Sequence, residues 1–135
     1  MSRLVDILES FQDKKLVIEG GVQDDWDRVL PLINRESASE VGKSGLLPLH
    51  LASRSEVPLK IINALLAAFP EAAARDSKGG HLPIHLAALN RTSLDCVLAI
   101  LDAFPNGSMV QDSMKFLPLH MAVLRNNSVQ VIAAL

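Results

Sequence analysis

Histidine is the residue type whose spacing in this chain first suggests chemistry. His50, His85 and His120 follow one another at a constant interval of 35 residues. Imidazoles held at regular positions can bind a metal ion or act as an acid and base pair. Each of the three closes the same phrase, which continues with an apolar residue and an alanine. The phrase reads Leu47-Pro48-Leu49-His50, then Leu82-Pro83-Ile84-His85, then Leu117-Pro118-Leu119-His120.

The recurrence of the whole phrase favours a structural role for the three histidines. A phrase copied in register indicates one structural unit repeated along the chain. Equivalent atoms in stacked helical units lie ~8–10 Å apart, whereas zinc holds its ligands at about 2 Å. Neighbouring histidines of this set therefore cannot share one metal ion. We predict that each imidazole makes the same structural hydrogen bond, with a backbone carbonyl as its acceptor.

The other residues with reactive side chains have simple structural interpretations. Cys96 falls on a predicted helix beside Val97 and is expected to be a buried, inert thiol. The acidic group Asp24, Asp25 and Asp27 stands at a predicted helix start, where carboxylates complement the helix dipole. Phosphate-loop, nucleophile-elbow and Cys-x-x-Cys motifs are absent from the sequence. We predict that the protein is not an enzyme and uses no cofactor and no metal.

Two helices in each copy of the unit must position these residues. In the copy that covers residues 78–112, Pro83 suits the first turn of a short helix that ends at Leu89. Apolar residues then recur from Leu94 to Phe104 at the spacing of a buried helix face. Pro105 closes this second helix, since the residue before a proline resists the helical conformation. The sequence therefore predicts a short helix, a polar turn and a longer helix within 35 residues.

The neighbouring copies follow the same plan. The first copy predicts a second helix from Leu59 to Phe69, closed by Pro70. The third copy starts its second helix at Val129 and reaches Leu135 without a Phe-Pro ending. Units of this size cannot bury an apolar face alone, but stacked copies can. We therefore predict an all-α protein built as a stack.

The first 42 residues lack the phrase but keep traces of the plan. Residues 25–33 resemble a second helix, in which Pro31 is expected to cause a kink. An apolar stripe further upstream indicates one more helix and consists of Leu4, Ile7, Leu8 and Phe11. The chain thus divides into a degenerate N-terminal capping unit at 1–42, two copies at 43–77 and 78–112, and a truncated copy at 113–135.

The core of the phrase, Pro-Leu-His-x-Ala, resembles the signature of the ankyrin-repeat family. The family pattern is Thr-Pro-Leu-His-x-Ala in a unit of about 33 residues, built from a β-turn and two helices. The resemblance covers roughly residues 24–135 and implies an ankyrin-type solenoid of stacked helix-turn-helix units. In such proteins a partner protein docks on the concave face of the stack, so the resemblance implies a non-catalytic binding module.

The chain departs from the family pattern at three positions of the unit, of which only the first is changed in every copy. Leucine (Leu47, Leu82 and Leu117) replaces the threonine whose hydroxyl, in the family, caps the first helix and bonds the motif histidine. Phe-Pro replaces the glycine that ends the second helix in the family. The turn glycine before the phrase becomes Lys115 in the third copy. We expect that this loop does not form the same turn, because lysine resists a positive φ.

The resemblance also selects the residues that would face a partner. They lie in the loops between units and on the exposed side of the first helices, and they mix basic, polar and apolar groups. These candidate contacts are Lys43, Leu46, Arg54, Lys78, His81, Leu89, Asn90, Met114, Phe116, Leu124 and Arg125. Phe116 has two interpretations that we weigh equally. It is either an exposed anchor for the partner or a side chain that packs between units.

Charge and composition narrow the classes of partner and compartment. A net charge of −2 gives no basic field that would attract nucleic acid. An apolar content of 49% argues against disorder. No signal peptide and no apolar stretch long enough to span a bilayer are visible. The single Cys96 fits a reducing compartment. We expect a cytoplasmic or nuclear protein with no nucleic-acid partner and no membrane insertion.

Two functions remain after these exclusions. The first is a protein–protein interaction module that acts as a scaffold. The alternative is a regulatory or scaffolding fragment of a larger multidomain enzyme or signalling protein, which the abrupt end at Leu135 motivates. The last predicted helix ends in Val-Ile-Ala-Ala-Leu, whereas arrays end in a polar unit for solubility. We therefore also expect self-association through this uncapped C-terminal helix.

Overall fold

The computed structural model describes residues 4, 8, 29–42, 45–54, 57–77, 79–90, 92–125, 127 and 129–135. All regular elements in this part of the chain are helices. The α-helices are α1 (Arg35–Ala38), α2 (Pro48–Ser53), α3 (Leu59–Ala68), α4 (Pro83–Leu89), α5 (Leu94–Ala103), α6 (Pro118–Leu124) and α7 (Val129–Ala134). Short 3-10 helices cover Leu30–Leu32, Pro70–Ala74 and Pro105–Met109. The predicted all-helical class is confirmed for the described residues.

The helices α2, α4 and α6 each begin at the proline of the recurring phrase. The preceding leucine is extended, with φ of −75° at Leu47, −78° at Leu82 and −81° at Leu117. Proline favours this extended conformation in the residue before it, and its ring fixes its own φ near the helical value. Its missing N–H has no cost in the first helical turn, because N–H groups there have no partner within the helix. Local covalent geometry therefore sets these three helix starts, and the predicted helix Pro83–Leu89 is confirmed.

The second helices α3 and α5 end one residue earlier than predicted. Phe69 and Phe104 are the C-cap residues, with φ of −148° and −149°. A residue that precedes proline is pushed out of the helical region, so each phenylalanine leaves the helix. The 3-10 helix that follows each proline was not predicted from the sequence. The predicted start of the last helix at Val129 is confirmed.

The helix predicted at residues 25–33 lies largely outside the described residues. Its end is described, and there the chain forms a 3-10 helix at Leu30–Leu32 that contains Pro31. A change of helix type at this point agrees with the N–H that proline removes. The acidic group at residues 24–27 lies outside the described residues.

An unpredicted helix, α1, follows this segment. The side chain of Asn34 caps it by accepting the N–H of Ser37, at 2.9 Å. Upstream, Leu4 and Leu8 are helical and buried, with 2% and 0% of their surface exposed. The other two residues of the predicted stripe, Ile7 and Phe11, lie outside the described residues.

The helices contact one another in two layers. α4 packs between α2 and α6, and α5 packs between α3 and α7. Fully buried alanines stand at equivalent positions of the first layer, at Ala52, Ala87 and Ala122. A small side chain at this position allows neighbouring helices to approach closely. The alanine of the recurring phrase is thus a packing residue.

The loop before each first helix makes the same turn in all three copies. The residue at the turn has a positive φ of 79° at Gly45, 75° at Gly80 and 66° at Lys115. The expectation that Lys115 changes the turn is therefore wrong. The Asp112 carboxylate explains the difference, because its Oδ1 accepts the N–H of Met114 at 2.9 Å and that of Phe116 at 2.8 Å. These two bonds hold the loop in a conformation that lysine alone disfavours.

Candidate functional site

His85 is bound through both of its ring nitrogens. Nδ1 accepts the N–H of Leu82 at 3.0 Å, and Nε2 lies 2.8 Å from the carbonyl oxygen of Val110 and 3.2 Å from that of Phe116. A ring that accepts at Nδ1 carries its proton on Nε2, which then donates to the carbonyls. The neutral imidazole therefore joins the start of its own helix to the end of the same copy at Val110 and to the next copy at Phe116.

His50 repeats this arrangement one copy earlier. Its Nδ1 accepts the N–H of Leu47 at 3.2 Å, and its Nε2 lies 2.9 Å from the carbonyl oxygen of Arg75. The predicted carbonyl partner of the motif histidines is thus confirmed at both positions. The histidine ring satisfies the N–H of the leucine at the helix start, and the leucine side chain itself makes no capping bond. His120 is exposed, and its Nδ1 accepts the N–H of Leu117 at 2.9 Å.

Burial lowers the pKa of both His50 and His85, and the nearby carbonyl acceptors only partly oppose it. A lowered pKa favours the neutral ring that the hydrogen bonds require. Since both nitrogens of each ring are already engaged, neither is available to a substrate or a metal ion. These residues form a structural link, as the sequence predicted.

No other reactive cluster stands out in the described residues. Cys96 is buried, with 1% of its surface exposed, and its Sγ lies 3.8 Å from the carbonyl oxygen of Val57. No group of three His, Cys, Asp or Glu side chains in the described ranges is arranged to hold a metal ion.

The candidate contact residues that the structure describes differ in exposure. Met114 and Leu124 are strongly exposed, at 72% and 69%, and Asn90 and Arg125 are exposed as well. Arg54, His81, Leu89 and Phe116 are half-buried, and Leu46 is buried. Lys43 and Lys78 lie outside the described residues.

The prediction that Leu46 faces a partner does not agree with its burial. Only 8% of its surface is exposed, and it belongs to the hydrophobic core beside Leu47 and Leu49. A side chain that packs in the core has little surface left for a partner. The neighbouring phrase brings this leucine inward, whereas its equivalents His81 and Phe116 remain half-buried.

Phe116 is held between units. It packs against the cluster of Ala88, Met121 and Ala122, and its ring meets that of His120 edge to face at 6.2 Å. Of the two interpretations weighed for Phe116, these contacts favour packing over a free anchor. Met114 in the same loop is the exposed apolar residue.

Three candidate contacts share one position on three neighbouring helices. Arg54 directly follows α2, while Leu89 and Leu124 are the last residues of α4 and α6. The Nε of Arg54 is buried and has no hydrogen-bond partner among the described residues. The row changes from a guanidinium at one end to an exposed leucine at the other. Such a row could contact a ligand with both polar and apolar features.

A separate groove of about 580 Å³ lies mainly in the second copy, with Ala74 and Asp76 from the end of the first copy and Ser113 from the start of the third. Its lining is mixed: Leu82, Phe104 and Val110 are apolar, Gln111 and Ser113 are polar, and Asp76 and Asp112 are charged. The sequence did not single out these two aspartates. Asp112 precedes an exposed loop and has no equivalent acid 35 residues earlier, and this difference between copies was the available signal.

Asp112 also faces His81, a candidate contact residue. Nε2 of His81 lies 3.2 Å from Oδ2 of Asp112, and the ring of His81 meets that of His85 at 6.2 Å. The His81 side chain is 30% exposed and the Asp112 side chain 1% exposed. His81 is therefore more enclosed than an exposed loop residue, because its ring packs against Asp112 and His85 of the same copy.

Comparison with known proteins gives no match: no protein-family model fits the chain, and no curated protein matches it. The structure adds one observation on membranes. Within the described ranges, no helix combines the length and the apolar character that crossing a bilayer requires.

Proposed function

We propose that this chain is an ankyrin-type stack of helical units that binds a partner protein and performs no catalysis. Contacts between copies recur at fixed separations, which supports the stack. Thr92 donates from Oγ1 to the carbonyl of Ser53, and Asn127 donates from Nδ2 to the carbonyl of Ala88, each across 39 residues. A constant register of this kind is what stacked identical units produce.

The binding surface that we propose is the inner surface of the stack. It is formed by the C-terminal ends of the first helices and by the loops that precede these helices. Its described members are Arg54, Leu89, Asn90, Met114, Leu124 and Arg125. The exposure of Met114 and Leu124 carries the proposal, because large apolar side chains in water mark contact sites when they cluster with polar neighbours.

The test measures the affinity of a captured partner for matched variants. The immobilised chain captures proteins from an extract, and the identified partner is then titrated against purified variants. We expect Met114→Ser and Leu124→Ser each to weaken binding roughly 5-fold, about 1 kcal/mol. Met109→Ser is the control, since Met109 is 79% exposed but belongs to the 3-10 helix Pro105–Met109, outside the helices and loops that form the proposed surface.

Two results would contradict this surface. One is unchanged affinity for both inner-surface variants. The other is a loss for Met109→Ser as large as the loss for Met114→Ser, which would indicate non-specific apolar adhesion.

A further inference from the structure

This groove, whose lining comes mainly from the second copy, differs from the corresponding place one copy earlier. Phe104 lines this groove, and Phe69 is its equivalent 35 residues before. Two arginines of the chain itself cover Phe69, with the guanidinium carbons of Arg35 and Arg75 at 5.1 and 5.7 Å from the ring centre. Phe69 also packs in the hydrophobic core and is only 6% exposed. In the first copy, the ring at this phenylalanine position therefore packs against guanidinium groups.

Uncharged residues stand 35 residues after each of the two arginines. Pro70 occupies the position of Arg35, and Val110 occupies that of Arg75. Among the described residues, the contacts between a cation and a ring involve Phe69 and not Phe104. Val110 and the half-buried Phe104 both line the groove of about 580 Å³. The short valine leaves open the space that an arginine side chain enters one copy earlier.

The charges around the groove are suited to a cation. Asp76 and Asp112 line it, and none of its lining residues is a lysine or an arginine. Oδ2 of Asp112 is buried and accepts no hydrogen bond from the described residues, although Nε2 of His81 lies 3.2 Å away. Burial raises the pKa of the Asp112 carboxyl, but hydrogen bonds from the N–H groups of Phe116 and Met114 outweigh this and lower it overall. Asp112 is therefore charged at neutral pH.

We propose that this groove binds an arginine side chain of a partner protein. The guanidinium stacks on Phe104 and faces Asp76 and Asp112, while its aliphatic stem lies along Val110. A planar guanidinium stacks on a ring and pairs with carboxylates better than an ammonium does. The inference rests on the proposed function only in assuming that the arginine belongs to a partner protein. It adds a contact separate from the inner surface.

The experiment titrates the whole chain with a fluorescein-labelled octapeptide of alternating glycine and arginine, read by fluorescence anisotropy. Two further peptides carry lysine or glutamate in place of arginine. We expect saturable binding of the arginine peptide, roughly 2- to 5-fold weaker binding of the lysine peptide, and no binding of the glutamate peptide.

Variants of the groove give the decisive comparison. Val110→Arg places an arginine at the position of Arg75 one copy later, so it fills the groove from within. We expect it to reduce the affinity for the arginine peptide about 10-fold or more and to raise the midpoint of thermal unfolding. Val110→Met, of similar reach but uncharged, should keep most of the affinity. Asp76→Asn should weaken binding roughly 2- to 5-fold.

Controls separate this groove from general attraction to an acidic chain. Asp102→Asn removes one exposed charge on α5 and should leave the affinity unchanged. Equal losses for Asp76→Asn and Asp102→Asn, equal binding of the arginine and lysine peptides, or full binding by a folded Val110→Arg variant would each overturn the proposal. Met114→Ser should leave peptide binding intact. Failure of the inner surface and failure of the groove are therefore distinguishable.

Discussion

Nε2 of His50 lies 2.9 Å from the carbonyl oxygen of Arg75. His85 and Val110, each one unit later in the chain, make the equivalent contact. Each pair is separated by 25 residues. Each of these two histidines therefore links the start of its copy to the end of the same copy. Its other nitrogen satisfies the N–H at the helix start. Stability and pH dependence follow from this double role.

His85→Ala should destabilise the fold by about 2–4 kcal/mol. The substitution leaves the N–H of Leu82 and the carbonyl of Val110 without a buried partner and opens a cavity. Urea unfolding followed by circular dichroism measures the change. His120→Ala is the matched control, because His120 is exposed and has the Leu117 contact. A loss for His120→Ala equal to that for His85→Ala would refute the role of burial.

Lowering the pH should destabilise the protein. Burial lowers the folded-state pKa of His50 and His85 below the ordinary value of 6.5. Above that value both states are neutral at these rings, and their stabilising contribution is fully present. Below it the unfolded chain takes up protons that the folded chain refuses, so the free energy of unfolding falls. The slope is at most about 1.4 kcal/mol per pH unit for each ring.

Urea unfolding from about pH 7.5 to about pH 5 measures this effect. The double variant His50→Gln, His85→Gln should be less stable at neutral pH but should show a flatter dependence over the same range. A wild-type stability that is constant or rises as the pH falls would contradict the prediction.

Lys115→Gly should stabilise the protein by about 0.5–1 kcal/mol, because φ at Lys115 is 66° and glycine adopts this conformation without a steric cost. The midpoint of thermal unfolding reports the gain. The reverse change, Gly80→Ala, should destabilise, since the added Cβ would lie 2.8 Å from the backbone nitrogen of Ser113. A lower midpoint for Lys115→Gly would show that the unfolded-state entropy of glycine dominates.

Thr92→Val should cost about 1–2 kcal/mol in the free energy of unfolding. It keeps the shape of the side chain but removes the donor that binds the carbonyl of Ser53. Ser93→Ala is the control, because Ser93 is the N-cap residue of α5 yet its side chain makes no capping bond. Chemical unfolding of both variants decides between a link across copies at Thr92 and a local cap at Ser93.

Self-association through the third copy is the remaining prediction. Val123 is 58% exposed, whereas its equivalent Ala88 is fully buried by the next copy, and Leu119 is 36% exposed where Ile84 is 2%. Sedimentation should show a molecular mass that rises with concentration, and Val123→Lys should weaken this association. Asn63→Lys, at an exposed position of α3, should leave it unchanged. A mass that stays monomeric at every concentration would refute the prediction.

Local chemistry explains which parts of the fold could be predicted. Pro83 and Pro118 restrict their own φ and that of the preceding residue, so the helix starts follow from the chain itself. The 3-10 helices after Pro70 and Pro105 were missed because short helical turns give little periodicity. The exposure of Leu46 was misjudged because its burial depends on neighbouring helices.

The sequence by itself determined the copied unit, its helices and the structural role of its histidines, because these depend on spacing and on bonds close along the chain. Tertiary structure decided which carbonyl each histidine binds and why Lys115 keeps a glycine-like turn. It also decided that Phe69 is covered by arginines while Phe104 borders an open groove. These features join residues that lie far apart in sequence or in different copies. Packing brings them together, and no local pattern records the result.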